Sequence, residues 1–171
     1  MISFSLLGAV DDWEGIRGPR RGLGMRARTK FIIQIVLALG ISIVLQNKSL
    51  IGVPEMYWPT SEEPISLGAF YIPVAVFIIV GMSNAVNFTD GLDGLAGLIS
   101  ATAFAAYGGI ALMQGQVFLG RFCFTIVGAL FGFLWFNVHP AQFYMGDTGS
   151  LALGAVLGIV SLMTGQWLLL P

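Results

Sequence analysis

The sequence has little charge, one cysteine and one histidine. Only 10% of its 171 residues are charged, against about 25% in soluble domains, which excludes a protein with an ordinary water-exposed surface. The single cysteine, Cys123, excludes an internal disulfide, and we expect it to be a small buried apolar side chain. The net charge of −1 gives no information about partners.

Apolar residues dominate the chain instead, at 56% of the total with a mean hydropathy of +0.85. A membrane-spanning helix needs roughly 20 mostly apolar residues. Met1 to Val10 covers about half of such a span and lacks the features of a signal peptide, so we interpret it as the end of a further helix. We predict an all-α, polytopic integral membrane bundle in one domain over 1–171, with a partial first helix and five complete spans at 29–47, 67–86, 93–113, 117–136 and 151–170.

The distribution of basic residues predicts the orientation of these spans. Positive charge near span ends favours the cytoplasmic side, and the loop 48–66 has only Lys48 beside three glutamates. That loop, with three prolines and the pair Tyr57-Trp58, is predicted to be external, turn-rich and anchored by an interfacial aromatic residue. Six of the eight basic residues lie in the predicted cytoplasmic loop 11–30: Arg17, Arg20, Arg21, Arg26, Arg28 and Lys30.

All five aspartates fall into three short clusters between the apolar stretches. Two predicted spans separate each neighbouring pair of clusters, and an even number of crossings returns the chain to the same side. The clusters are therefore predicted to converge at the cytoplasmic surface of the membrane. Their acids are Asp11 and Asp12, then Asp90 and Asp93, then Asp147.

Carboxylates gathered in this way call for a cation. Two like unit charges about 4 Å apart repel by about 4 kcal/mol at an effective dielectric of 20. Ligands that are all oxygen favour Mg²⁺ or Mn²⁺ over zinc, and Mg²⁺ commonly lies between a carboxylate and substrate phosphates. Arg28 and Lys30 would then hold a polyanionic substrate nearby.

The second and third clusters also have helix-capping alternatives. Asn87, Asp90 and Asp93 are three apart, so on a helical path they share one face, at the start of the next helix. Capping alone explains one of these residues but not all three. Before the last predicted helix, capping explains Thr148 or Ser150 and leaves Asp147 for another role.

Three further residues have simpler interpretations. His139, beside Pro140 in a polar loop, is predicted to be a hydrogen-bonding loop residue and not a catalyst. Tyr144 is either an aromatic residue at the membrane interface or a stacking surface for a base, and both remain open. Arg121, near the external end of its span, is predicted to be an anchor.

Four motifs resemble those of the polyprenyl-phosphate N-acetylhexosamine-1-phosphate transferases, the glycosyltransferase 4 family. They lie at 84–97, 143–154, 8–12 and 27–34, and the first two are the most specific: Asn-Ala-Val-Asn-Phe-Thr-Asp-Gly-Leu-Asp-Gly-Leu-Ala-Gly and Phe-Tyr-Met-Gly-Asp-Thr-Gly-Ser-Leu-Ala-Leu-Gly. The resemblance covers essentially the whole chain. Within the family, it is greatest to the branch that transfers phospho-N-acetylmuramoyl-pentapeptide.

The resemblance implies a reaction and its partners. UDP-N-acetylmuramoyl-pentapeptide and undecaprenyl phosphate would give lipid I and UMP in peptidoglycan synthesis, with Mg²⁺, or alternatively Mn²⁺, as cofactor. The enzyme would lie in the lipid bilayer of the bacterial cytoplasmic membrane, with its active-site loops in the cytoplasm. A homodimer is implied by the family, and no nucleic-acid partner is expected. Direct attack by the lipid phosphate and a covalent enzyme intermediate both remain open.

The resemblance also implies roles for eight residues. Asp147 would be catalytic and would ligate Mg²⁺, Asp11 would deprotonate or orient the lipid phosphate, and Asp12 would support this catalytic site. Tyr144 would stack on uracil. The remaining substrate-binding residues would be Lys30, which contacts a phosphate or the nucleoside, and Asn87, Asp90 and Asp93, which line the nucleotide-sugar pocket.

Two departures from the family pattern bear on activity. Gly15 stands where the family usually has a lysine, and a histidine-rich motif is expected beyond Pro171. Early spans are also missing, so we expect a fragment that is weakly active or inactive alone, an expectation that UMP release by the chain would contradict. Neighbouring DNA would show whether the reading frame continues.

Other functions remain as alternatives. The chain could belong to a sister transferase that loads N-acetylglucosamine phosphate, or a related sugar phosphate, onto the same lipid. It could be a bundle fragment without activity of its own. In a different class, the carboxylates could line a cation pathway, although such groups usually lie within spans and these lie at span ends.

Overall fold

The computed structural model describes residues 1–17, 24–47, 56–57 and 64–170. Short 3₁₀ turns at Gly68–Phe70 and Trp167–Leu169 and an antiparallel pair of two-residue strands, β1 (Met56–Tyr57) and β2 (Pro64–Ile65), accompany the helices. Helices account for most of the described residues, and the predicted all-α class is therefore confirmed. The described helices are α1 (Ile2–Arg17), α2 (Ala27–Gln46), α3 (Tyr71–Thr89), α4 (Leu95–Met113), α5 (Val117–Asn137) and α6 (Gly146–Thr164).

Five of these helices, α2 to α6, are long and apolar enough to cross a membrane. They correspond to the five predicted spans, and α1 is the predicted shorter helix before them. Of the loop predicted to be turn-rich with an aromatic anchor at Tyr57 or Trp58, Trp58, Pro54 and Pro59 lie outside the described residues. The sidedness of the loops stays a prediction.

The structure corrects two helix ends near the aspartates. α1 continues through Asp11 and Asp12 to Arg17, so the two acids lie on a helix and not in a loop. α6 begins at Gly146, five residues before the predicted start at 151, because the first turn is capped by a side chain from α1. Asp147 is therefore in the first turn of α6.

The prediction that Asn87, Asp90 and Asp93 share one helical face was wrong. Asn87 lies in α3, Asp90 is the C-cap residue directly after α3, and Asp93 lies in the turn before α4. The chain leaves the helical path between them, and Gly94, in the left-handed conformation with φ +76°, precedes the first residue of α4. A glycine adopts that conformation without steric cost.

α6 is the central helix and packs against α1, α3 and α4, while α2 packs against α3 and α5 against α4. Contact between α3 and α6 depends on Gly154, where an added Cβ would lie 2.2 Å from the carbonyl oxygen of Met82. Small residues let helix backbones approach closely in membranes. The hydroxyl of Ser83 then donates to the carbonyl of Leu151 across the same interface, at 3.0 Å.

Side chains from the α4–α5 turn satisfy the C-terminal end of α6. The last carbonyl groups of a helix have no partner within it. Here Gln114 donates to the carbonyl of Thr164 at 2.9 Å, and Gln116 donates to that of Met163 at 3.2 Å. The tight turn predicted at Gln114-Gly115-Gln116 is confirmed, with φ +75° at its glycine. One end of the central helix is thus fixed by α4 and α5.

Candidate active site

The opposite end of α6 meets α1, α2 and α3, and there the three aspartate clusters come together. Gly8 of α1 touches the backbone of α6 at Asp147. One turn further along α1, Asp11 and Asp12 reach the same place. The predicted convergence of acids that are far apart in the sequence is therefore confirmed for Asp11, Asp12, Asp90 and Asp147.

The ammonium group of Lys30 lies between two of these carboxylates. Its Nζ donates to Asp147 and lies 3.4 Å from Oδ2 of Asp11. The three side chains are largely buried, with 17%, 22% and 14% of their surfaces exposed for Lys30, Asp147 and Asp11. Lys30 thus joins the start of α2 to both α1 and α6, and it already acts as a cation between two acids.

Asn87 of α3 completes the surroundings of Asp147. Its Nδ2 donates to Oδ1 of Asp147 at 2.6 Å and to the hydroxyl of Ser150 at 2.9 Å. The Ser150 hydroxyl in turn donates to the carbonyl of Gly146. Asp147 is therefore held from α2 by a charge and from α3 by an amide.

Burial is the main cause of the raised pKa values around this cluster, and neighbouring acids add to it. Burial raises the pKa of Asp11, and a hydrogen bond shared with Asp147 contributes, while the backbone N–H of Met25, which donates at 2.8 Å, acts in the opposite direction. Burial also raises the pKa of Asp90 to about 6, and the charges of Asp147 and Asp12 add to that effect. One lysine does not neutralise this group of acids.

Asp12 faces a different set of partners from Asp11. Its Oδ1 accepts the backbone N–H of Asp147 at 3.1 Å, and its Oδ2 accepts the N–H of Thr148 at 3.0 Å and the Thr148 hydroxyl at 2.6 Å. The N–H groups of a helix's first turn have no intrahelical acceptors. Asp12 therefore caps α6 from a separate helix.

Asp93 and Tyr144 belong to a neighbouring region formed by two loops. Oδ2 of Asp93 accepts the backbone N–H of Ala141 at 3.1 Å and lies 3.0 Å from Nδ1 of His139. These contacts, the first above all, lower the pKa of Asp93, and the hydroxyl of Tyr144 contributes. His139 is thus a hydrogen-bonding loop residue, as predicted. Tyr144 is 68% exposed, so its ring is accessible.

Sequence reasoning gave no individual role to Gln34 and Asn84. Gln34 is fully buried, and Nδ2 of Asn84 donates to Oε1 of Gln34 and to the carbonyl of Val80, each at 2.8 Å. A signal was present in the spacing, because Gln34 is one helical turn from Lys30 and Asn84 one turn from Asn87. The pair joins α2 to α3 directly beside the charged cluster.

Two cavities open between α2 and α3. The first, of about 450 Å³, is polar at one side, and the second, of about 540 Å³, is almost wholly apolar. They share Phe31 and Asn84 in their linings. The polar cavity is lined by Ala27, Arg28, Lys30, Phe31, Gln34, Asn84, Asn87 and Phe88, and the apolar one by Phe31, Ile35, Pro73, Val76, Phe77, Val80, Gly81 and Asn84.

The donor set fits a Mg²⁺ ion that binds together with phosphate. Among the described residues, no group of three or more His, Cys, Asp or Glu is arranged to hold a metal by itself. Mg²⁺ is usually held by one or two carboxylates plus substrate phosphates, and Asp147 and Asp11 lie close enough to share a hydrogen bond. The position of Lys30 between them shows that this place accommodates a cation.

A bundle of apolar helices with carboxylates and a lysine at one end defines a polytopic membrane protein. The model of the family described as glycosyl transferase family 4 matches residues 1–165. The chain therefore belongs to glycosyl transferase family 4, as its motifs predicted.

Three curated relatives match all or nearly all of the chain and share one name. The phospho-N-acetylmuramoyl-pentapeptide-transferase of Chloroflexus aurantiacus is 44% identical over 182 residues, which cover 100% of this chain and 48% of that relative. Its namesake in Caldanaerobacter subterraneus is 45% identical over 170 residues, covering 99% of this chain and 52% of the relative. The relative of the same name in Listeria innocua is 43% identical over 168 residues, which cover 98% of this chain and 51% of that relative. The chain thus spans about half the length of these relatives.

Proposed function

We propose that this chain provides the metal and phosphate site of a transferase that moves phospho-N-acetylmuramoyl-pentapeptide from UDP to undecaprenyl phosphate. The products would be lipid I and UMP, in the cytoplasmic membrane of a bacterium, with the site facing the cytoplasm. The observation that carries the proposal is the position of Lys30 between Asp11 and Asp147 at the end of the apolar bundle. The name shared by the relatives supports the choice of substrates.

Phosphoryl transfer depends mainly on positioning and on neutralisation of charge. Asp147 would hold Mg²⁺ or Mn²⁺, which would neutralise the diphosphate of the donor. Lys30, which lies against Asp11 and Asp147, would donate to a phosphate oxygen of the substrate. Asn87 would keep Asp147 oriented through its 2.6 Å hydrogen bond.

Asp11 would orient the acceptor phosphate and receive its proton. Burial and the neighbouring Asp147 raise the pKa of Asp11, and a phosphate monoester loses its second proton with a pKa of about 6. Proton transfer is favoured when the pKa values of donor and acceptor approach each other. The reaction would then begin from a fully ionised lipid phosphate.

The two cavities between α2 and α3 suit an acceptor with a charged head and an apolar chain. The polar cavity contains Lys30 and Arg28, and the adjoining apolar cavity offers Phe31, Ile35 and Phe77 to a hydrocarbon. A polyprenyl phosphate has this distribution of polarity.

The nucleotide would lie towards the loops that hold Asp90, Asp93 and Tyr144. The exposed ring of Tyr144 would stack on uracil. Asp93, fixed by His139 and Ala141, would present its remaining acceptor capacity to the donor. The proposal also includes a homodimer, as the family implies, and a peptide on the substrate. Both would contact surfaces outside this site.

A chimaera tests the function. The matching 182-residue segment of the Chloroflexus aurantiacus relative would be replaced by this chain, and UMP release would be measured with undecaprenyl phosphate and either UDP-N-acetylmuramoyl-pentapeptide or UDP-N-acetylglucosamine. We expect turnover with the muramoyl donor, abolished by Asp147→Asn and retained in the matched control Glu14→Gln. Turnover with UDP-N-acetylglucosamine alone would instead identify the sister transferase, and the isolated chain is expected to release little UMP.

A further inference from the structure

Asp12 directs both of its carboxylate oxygens at the first turn of α6, where they accept three hydrogen bonds from Asp147 and Thr148. We propose that Asp12 is a positioning residue that fixes this turn, and with it Asp147, and that it does not react with substrate. The metal-binding role of Asp147 rests on the function proposed above, whereas the fixation of the first turn of α6 by Asp12 does not.

The local sequence does not cap α6. Its N-cap residue, Met145, has no side-chain capping hydrogen bond. The hydroxyl of Thr148 donates to Asp12, and that of Ser150 donates back to the carbonyl of Gly146, so neither of the predicted capping residues accepts a backbone N–H. The acceptor comes from Asp12, 135 positions away from Asp147 in the chain.

The backbone around the contact is shaped to admit this carboxylate. An added Cβ at Gly146 would lie 3.0 Å from Oδ2 of Asp12, and Gly146 has a φ of +64°. The negative charge of Asp12 is also favourable at the positive N-terminal end of a helix. Charge, hydrogen bonds and the absence of a side chain at position 146 all favour this placement.

Asp12 holds the backbone N–H of the same residue whose side chain contacts Lys30 and Asn87. Without Asp12, the first turn of α6 loses its acceptors, and the carboxylate of Asp147 moves relative to these two partners. A capping residue contributes about 0.5–2 kcal/mol, which corresponds to about 2- to 30-fold in an equilibrium constant.

The experiment compares Asp12→Asn with Glu14→Gln, in the full chain in lipid nanodiscs. Glu14 lies two residues further along α1, and its replacement removes the same charge. Amide hydrogen exchange would be measured at 146–149, and Mn²⁺ affinity by electron paramagnetic resonance. In Asp12→Asn we expect faster exchange at Asp147 and Thr148 and a Mn²⁺ dissociation constant raised about 10-fold, with both quantities unchanged in Glu14→Gln.

Two results would overturn the proposal. In the first, folded Asp12→Asn shows the same amide exchange and the same Mn²⁺ affinity as the parent chain. Asp12 would then not be a positioning residue, and any loss of UMP release would indicate a direct role in the chemistry. Faster exchange with unchanged Mn²⁺ affinity would make Asp12 a purely structural cap. If the parent chain binds no Mn²⁺, the proposed metal site fails, and the exchange measurement alone still decides whether Asp12 fixes the turn.

A milder variant serves if Asp12→Asn does not fold. Thr148→Val removes the 2.6 Å hydroxyl contact and leaves both backbone N–H groups on Asp12. We expect a Mn²⁺ dissociation constant raised only about 3-fold, because two of the three hydrogen bonds to Asp12 remain. An unchanged value would count against the proposal.

Discussion

Gly8 of α1 and Asp147 of α6 are in direct backbone contact. A Cβ built on Gly8 would lie 2.1 Å from the carbonyl oxygen of Asp147 and 2.5 Å from the nitrogen of Thr148. The separation between the first and third aspartate clusters is therefore set by a residue without a side chain.

Gly8→Ala is expected to displace α1 from α6, because the clashing atoms are backbone and cannot rotate away. Overpacking of this kind costs about 1–3 kcal/mol. The matched control is Gly40→Ala in α2, where an added Cβ meets no atom within 4 Å and the helix gains up to about 1 kcal/mol. Thermal unfolding in detergent would show opposite shifts of Tm, and equal shifts would contradict the packing argument.

Lys30→Met is expected to make the folded chain dependent on a divalent cation. Without the ammonium group, Asp11 and Asp147 repel each other across a partly buried space. Added Mg²⁺ should then raise the Tm of Lys30→Met more than that of the parent chain. Arg121→Gln, which removes an exposed positive charge from α5, is the control and should behave like the parent. A Mg²⁺ response in Lys30→Met no larger than that of the parent would contradict the proposal that a divalent cation binds at Asp147 beside Asp11.

The amide pair formed by Gln34 and Asn84 should show energetic coupling. Asn84 donates to the buried Gln34 at 2.8 Å in a partly buried contact between α2 and α3. Interhelical hydrogen bonds in membranes contribute about 0.6 kcal/mol on average and up to about 1.7 kcal/mol. A double-mutant cycle with Gln34→Leu and Asn84→Leu, measured by unfolding in detergent, should give a coupling energy in this range. A value near zero would mean that the two residues act independently.

Asp93 should make stability dependent on pH. The N–H of Ala141 and the ring of His139 hold the pKa of its carboxyl below the ordinary value of 3.8. A group whose pKa is lowered by folding stabilises the protein above the unfolded pKa, and this contribution disappears as the pH falls through the folded pKa. Asp93→Asn should therefore lower Tm near pH 7, and the difference from the parent should shrink as the pH falls from 3.8 through the lowered pKa of Asp93. A difference that persists at low pH would contradict this account.

The positions of α2 to α6 followed from the sequence because each needs an apolar run of spanning length, which is a local property. The convergence of the aspartates followed as well, since the number of crossings determines the side on which each cluster lies. The exact start of α6 did not follow. Nothing in 145–151 shows that Asp12, on another helix, supplies the missing acceptors.

The family motifs marked Asn87, Asp90 and Asp93 together, yet the structure divides them. Asn87, within α3, contacts Asp147 of α6. Asp93 lies beyond the end of α3 and pairs with His139 and Ala141. The spacing of three was compatible with one helical face, and only the backbone conformation at Gly94 and the position of the α5–α6 loop excluded it. Neither can be read from the spacing of polar residues.

The sequence by itself determined that this protein is a membrane bundle of glycosyl transferase family 4 with its acids at one end, because hydropathy and motifs are local properties of the sequence. The tertiary structure alone decided what each acid does there. Partners such as Lys30 and Asp147, 117 positions apart, meet only when helix packing brings α2 against α3 and α1 against α6. That packing depends on the absence of side chains at Gly8 and Gly154. An added Cβ at either position would clash with the backbone of a neighbouring helix, which the local sequence does not show.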